Sequence, residues 1–253
     1  MNDSYIKSLI EKGKRIDGRS LDEHRKIVLE SGISKYAEGS ARCKLGETEV
    51  LVGVKFDTGE PYSDSPNEGT IIVSAELSPI ANPNFELGPP SEQSIELARV
   101  VDRGIRESKA IDFKNLCIRP GEKIFMLFID IQIMNDDGNL IDASVLGAMK
   151  ALSETRIPKL ENDKVVYGEF TSKKLKLDKM PVTCTIYKIG NNLVVDVNSK
   201  EEEAVDARLS VNVANGKIHA MQKGGNFGFT VEEVGRAIDI AIKKEKELVK
   251  FLK

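Results

Sequence analysis

The run Lys123-Ile-Phe-Met-Leu-Phe-Ile-Asp-Ile-Gln-Ile-Met134 limits the possible folds of this chain more than any other stretch. It is nearly continuous apolar sequence in β-favouring residues, which predicts a central strand buried on both faces. Next come Asn135-Asp136-Asp137-Gly138-Asn139-Leu140-Ile141-Asp142 and Ala143–Thr155. The latter is a helix of small residues carrying Val145, Leu146, Met149 and Leu152, suited to close packing on a sheet. A strand-to-helix turn presents free backbone N–H groups and the positive end of a helix, both of which attract phosphate. Here the turn holds Asp136, Asp137 and Asp142 and no cation, so it would repel one.

The flanking sequence predicts an α+β chain in which a sheet and then a helix occur twice. Asp3 or Ser4 caps a first helix with Tyr5, Ile6, Leu9 and Ile10 on one side, stopped by Gly13. Strands are expected at Lys26–Ile33, Ser40–Leu45, Thr48–Phe56 and Thr70–Leu77, with Asp57-Thr58-Gly59 ending the third. Residues 60–69 and the proline-rich 78–90 read as irregular. Ser91–Lys109 is helical, with Ile95, Ala98, Val101 and Ile105 as its inward stripe. In the second half, strands fall at Thr183–Ile189, Leu193–Val197, Arg208–Val213 and Lys217–Gln222, with hairpin signals at Asn191-Asn192 and Asn215-Gly216. Thr230 and Glu233 form a capping box for a last helix. Its inner stripe is Val231, Val234, Ile238, Ile242 and Val249, with Lys243–Glu247 largely in solvent. The division that follows is residues 1–25 as helix and lead-in, 26–160 as a first lobe and 161–253 as a second.

Charge and composition exclude several classes. With 37 basic against 40 acidic residues, the formal net charge is −3, so nucleic acid would have to be met by a local basic patch or a partner chain. Cys43, Cys117 and Cys184 are widely spaced with no Cys-x-x-Cys pair, which argues against both a sequence-local zinc site and a disulfide scaffold. The only histidines, His24 and His219, leave little material for metal or triad chemistry. No metal or cofactor is expected. The start of the chain lacks a signal-peptide core, and no run approaches the ~20 apolar residues of a membrane span, so a cytoplasmic protein with no membrane partner is expected.

Three patterns are candidates for function. Arg99, Arg103 and Arg106 share one helix face, where planar guanidiniums could hold successive phosphates. Glu96 and Asp102 stand at spacings that suit surface ion pairs with Arg99 and Arg106, so spacing alone favours pairing. Glu201-Glu202-Glu203, with Asp196 and Asp206 nearby, could hold Mg²⁺ or act as acids, but reads more simply as a solvated turn. Lys223-Gly224-Gly225-Asn226-Phe227-Gly228-Phe229 matches neither a P-loop nor a dinucleotide fingerprint and reads as a flexible turn.

Several segments, in order, resemble RNase PH-type proteins. They are Arg15-Ile16-Asp17-Gly18-Arg19 with Arg25, Gly39-Ser40, Gly46-x-Thr48-x-Val50, and Leu97-Ala98-Arg99-Val100-Val101-Asp102-Arg103 with the apolar strand after it. Asp142-Ala143-Ser144 and Asp206-Ala207-Arg208-Leu209 are similar, more closely, to the non-catalytic RNase PH-like subunits of archaeal exosomes. The resemblance implies an RNase PH-like fold of two α+β lobes. It also implies a hexameric ring alternating with a catalytic RNase PH-like partner, joined by RNA-binding cap subunits, that degrades single-stranded RNA from its 3′ end with phosphate. Active members grip that phosphate with a loop ending in arginine, whereas here the stretch is Gly138-Asn139-Leu140-Ile141. The resemblance assigns RNA contact to Arg99 and Arg103, leaves Arg106 as scaffold, and implies no catalytic residue in this chain. The rival expectations are a self-sufficient phosphorolytic exoribonuclease forming a homomeric ring, and a small-molecule enzyme on a shared architecture.

Overall fold

The structure, a computed structural model, describes residues 3–253. Helix α1 (Asp3–Glu11) leads, ended at Gly13 by a backbone φ of 69°. Ile6 and Ile10 face inward as expected, but Tyr5 points to solvent and Asp3 lies within the first turn, so a cap would fall outside the described residues. The first sheet then forms from β1 (Ile27–Ser31), β2 (Gly39–Leu45), β3 (Thr48–Gly59), β4 (Thr70–Leu77), β5 (Cys117–Arg119) and β6 (Lys123–Asn135). Its order is β1-β2-β3-β6-β4, with β5 also on β6. All neighbours are antiparallel except β4 and β6, which the crossover through α2 (Glu92–Ser108) makes parallel.

β6 is central, as its sequence predicts, but it is not buried on both faces. Leu127, Ile129, Ile131 and Ile133 are fully buried, while Met126, Phe128, Asp130 and Gln132 alternate with them in half-buried positions. The second face therefore tolerates polar groups, and Asp130 accepts a 2.7 Å hydrogen bond from Ser74 there. β3 does not stop at Phe56. It continues through Asp57-Thr58-Gly59, because β6 offers a partner as far as Ile124, and Gly59 leaves room for the Met126 thioether.

Helix α3 (Leu140–Glu154) begins three residues before its expected start. It packs on β2 and β3 on one side and on β9 of the second sheet on the other, so Leu140 through Met149 are all buried. Gly147 permits the close approach, since a Cβ there would meet Val52 at 3.0 Å. A hairpin absent from the sequence reading follows, β7 (Arg156–Glu161) and β8 (Lys164–Lys174), turned by Asn162-Asp163 with both φ angles positive.

The second sheet contains β9 (Val182–Ile189), β10 (Asn192–Val195), β11 (Ala207–Ala214) and β12 (Lys217–Gly224) in the order β10-β9-β11-β12. The one-turn helix α4 (Ser199–Glu202) lies between β10 and β11. The β9–β10 turn is Gly190-Asn191 rather than Asn191-Asn192, since Ile189 pairs with Asn192. The Asn215-Gly216 turn is as expected. Helix α5 (Val231–Leu252) covers β9 and β11 and starts at the predicted Thr230–Glu233 capping box. Its buried stripe is Ala237, Ala241, Leu248 and Leu252, not the stripe expected, and Val231 is 89% exposed. Lys244 and Glu245 are buried, contrary to the solvated reading of that stretch. Glu245 accepts from the Gly216 N–H at 2.8 Å, which holds the helix against the hairpin.

One apolar cluster runs through both sheets by way of α3. A second, beneath α1, contains Ile6, Ile10, Tyr187, Ile189, Val194, Val197 and Ala204. Burying each isoleucine of α1 is worth roughly 1.5–3 kcal/mol, enough to dock a helix too short to be stable alone.

Candidate nucleic-acid interface

The candidate interface is the outer ridge of α2. Ser91 caps this helix through its hydroxyl, and Lys109 ends it in a left-handed conformation. The buried stripe is Ser94, Leu97, Val101, Gly104, Ile105 and Ser108, which corrects the expected one: Ile95 is 49% exposed and Ala98 half-buried. Rotation of the stripe follows from two small residues. Ser94 donates to the Ala75 carbonyl at 2.8 Å, and Gly104 lets the helix press on β11, where a Cβ would meet Asn212 Nδ2 at 2.6 Å. That rotation turns Arg99 and Arg103 outward.

The three arginines are not equivalent. Arg106 is held by both oxygens of Asp102 at 2.9 and 3.2 Å, donates to the Ile71 carbonyl at 3.2 Å and lies over the Phe113 ring. It is scaffold, as expected. Among the described residues Arg103 has only an exposed pair with Glu107 at 3.5 Å, the kind that contributes little. Arg99 has no hydrogen bond or ion pair among the described residues. Glu96, the partner that spacing offers it, is taken by Arg208 of β11 at 2.5 Å and by Gln222 of β12 at 3.3 Å. Arg99 and Arg103 stand on the rim of a groove of about 540 Å³ between α2 and the second sheet. Ile95, Val100 and Met221 line its walls, and Thr183, Ser210 and Asn212 line its floor.

A neighbouring groove holds Leu140 and Ile141, the end of the acidic turn, together with Tyr187, Glu202 and Arg208. The turn is not short of a cation in space, because the fold brings Arg25 to it. Arg25 is already engaged, however. Its guanidinium meets both oxygens of Asp196, Asp137 and the carbonyls of Gly138 and Val197. Nor do the aspartates form an open acidic surface. Asp137 accepts from Ser199, Asp136 from Asn82 and the Gly138 N–H, and the buried Asp142 from Thr185 and Asn139. Thr48 seals the turn by donating to the Gly138 carbonyl at 2.7 Å. The turn is built to be closed, and what it shows the groove is aliphatic.

The acidic patch is likewise structural for the most part. Glu201 is fully buried against Arg15, which also donates to the Val195 and Asp196 carbonyls at 2.9 and 2.7 Å. Asp206 accepts from Lys7 of α1 at 2.8 Å and from the Gly190 N–H at 2.7 Å. Burial raises the Asp206 carboxyl, but these donors outweigh it and leave the group below its ordinary value. Only Glu202 faces the groove. It reaches solvent, yet its carboxyl is pushed up to about 7 because the groove walls displace water around it and the Asp136 charge lies close. Sequence reasoning missed Arg208 and Arg25 as the residues that decide which cations are free. Both act across long sequence separations, and no local spacing marks them. Phe227 in the glycine-rich turn is exposed.

Two sheets packed by helices in this order make an RNase PH-like fold. The chain belongs to the 3′ exoribonuclease family: domain 1 of that family matches residues 23–158 and domain 2 matches residues 179–244. It is 47% identical over 250 residues to the exosome complex component Rrp42 of Methanothermobacter thermautotrophicus, covering 98% of this chain and 92% of the relative. To the protein of the same name in Methanosarcina acetivorans it is 49% identical over 245 residues, covering 96% and 90%. Among solved structures, a chain of the Archaeoglobus fulgidus exosome with RNA bound to the active site superposes with a TM-score of 0.92 at 42% identity, covering 99% of this chain and 97% of that one. The rice Rrp46 structure, at 17% identity and a TM-score of 0.71, shares the fold.

Proposed function

We propose that this chain is a non-catalytic subunit of an exosome ring. In this reading it alternates with a catalytic RNase PH-like partner, supports cap subunits, and lends Arg99 and Arg103 to single-stranded RNA while the partner performs phosphorolysis. The observation that carries the reading is a contrast between two sets of cations. The arginine at the phosphate-loop turn, Arg25, is fully engaged by Asp196, Asp137 and backbone carbonyls, whereas Arg99 on the outer ridge is unpaired among the described residues. Phosphorolysis brings two anions together, and without a free preorganised cation their repulsion raises the barrier. A ridge of guanidiniums with no base-reading partner suits phosphate contact that tolerates sequence and weakens with salt. Relatives named as exosome complex components, and a similar chain from an RNA-bound exosome, support the same reading. No described helix is long and apolar enough to cross a membrane, and a cytoplasmic location fits RNA turnover.

The test is the double variant Arg99→Glu/Arg103→Glu in the reconstituted ring. Assembly should be unchanged by size-exclusion chromatography, and RNA degradation should be weakened, most visibly at low salt. Undiminished degradation would remove these residues from the RNA path.

A further inference from the structure

Three side chains from separate parts of the chain converge behind the acidic turn. His24 belongs to the lead-in before β1, Asp142 to the first turn of α3, and Cys184 to β9. Their ligand atoms, an imidazole nitrogen, a carboxylate oxygen and a thiol sulfur, all lie within 4.8 Å of one another. From this juxtaposition we propose a Zn²⁺ site with three protein ligands, His24, Asp142 and Cys184.

Four features of the site suit the ion. Imidazole, thiolate and carboxylate are the ligand types zinc takes, and tetrahedral bonds of roughly 2.0–2.3 Å need ligand atoms about 3.3–3.7 Å apart. Closing from a spacing of up to 4.8 Å takes an adjustment of up to about 1.5 Å. His24 can supply it, since its Nε2 is buried with no hydrogen-bond partner to give up.

Asp142 is already oriented as a ligand. Its oxygens accept from the Thr185 N–H at 3.0 Å, the Thr185 hydroxyl at 2.7 Å and Asn139 Nδ2 at 3.0 Å. Asn139 is fixed in turn by the Tyr187 hydroxyl at 3.0 Å. A carboxylate offers about four lone-pair positions, so one remains for a metal, and donors of this kind are what orient a ligand from behind. The charge also balances. One thiolate and one carboxylate neutralise a divalent cation in a place where an uncompensated charge would be costly. Binding displaces the Cys184 thiol proton to solvent, and water takes the fourth position. Such a site departs from the expectation of no metal, which rested on the scarcity of histidine and the absence of closely spaced cysteines; neither shows ligands that only the fold brings together.

The probe is Co²⁺, which reports thiolate ligation by absorption, titrated into the full chain after removal of metals by chelator dialysis. The expected result is a sulfur-to-cobalt band that saturates at one equivalent and is displaced by Zn²⁺. It should be retained in Cys117→Ser and lost in Cys184→Ser. Should Cys184→Ser fail to fold, His24→Gln, at the half-buried position, should weaken apparent Co²⁺ affinity by roughly tenfold or more with the fold intact by circular dichroism. No band at one equivalent, a band that depends on Cys117, or unchanged affinity in His24→Gln would overturn the site.

Discussion

Glu96 sits one helical turn before Arg99, the spacing at which a glutamate ordinarily ties up an arginine on a helix surface. Here it turns the other way, to Arg208 and Gln222 of the second sheet, and Arg99 is left without an ion pair among the described residues. Arg208 thus acts at a distance from any RNA phosphate that Arg99 would meet. Replacing Arg208 with alanine should release Glu96 to Arg99 and lower the ring's RNA affinity by about twofold, the size of one such helix pair. Adding Glu96→Gln should restore it. Fluorescence anisotropy with labelled single-stranded RNA reads both, and a loss that Glu96→Gln fails to reverse would mean Arg208 acts some other way. The ridge itself was legible from the i, i+4 spacing of Arg99 and Arg103. Which of its members is free was not, because Glu96 chooses between a neighbour on its own helix and an arginine far along the chain.

At the level of elements, periodicity located helices and strands but misjudged their faces where small residues do the packing. In α2 the inward positions are Ser94 and Gly104 as well as Leu97, Val101 and Ile105, so an apolar count selects Ile95, which lies at the groove. In α5 Ala237 and Ala241 pack on the sheet where isoleucines were expected to. β7 and β8 carry many exposed polar residues and a Pro158, so no strand signal rose above the background. Helix α1 gives a testable case of a polar tether. Its Lys7 holds Asp206 at the start of β11, and the carboxyl sits below its ordinary value. A carboxyl lowered on folding contributes stability that is present above about pH 4 and is lost as pH falls through its folded value. Asp206→Asn should therefore flatten the acid limb of the stability curve by under about 1 kcal/mol, since the pair is partly solvated. Urea midpoints at pH 6 and pH 3 measure it. An equal acid loss in wild type and variant would show that the tether contributes nothing.

Over the whole molecule, the α+β class and the order of its elements followed from alternating apolar patterns and turn residues, because each is set locally. What joins the two halves was not legible. A single helix, α3, is buried from Leu140 to Met149 between both sheets, and the network from Arg15 and Arg25 through Asp196 and Asn139 to Asp142 and Thr185 ties the lead-in to the same place. These contacts cross most of the chain. They convert what reads as a defective phosphate turn into a closed structural joint, the feature on which the proposed division of labour, RNA contact here and bond cleavage in a partner, rests. The most direct measurement is RNA degradation with and without inorganic phosphate by this chain alone, by a catalytic RNase PH-like partner alone, and by the two mixed, counting nucleoside diphosphates. The expected result is phosphate-dependent product from the mixture and none from this chain by itself. Robust phosphate-dependent turnover by this chain alone would contradict the account, and would mean that a cation other than Arg25 grips the attacking phosphate.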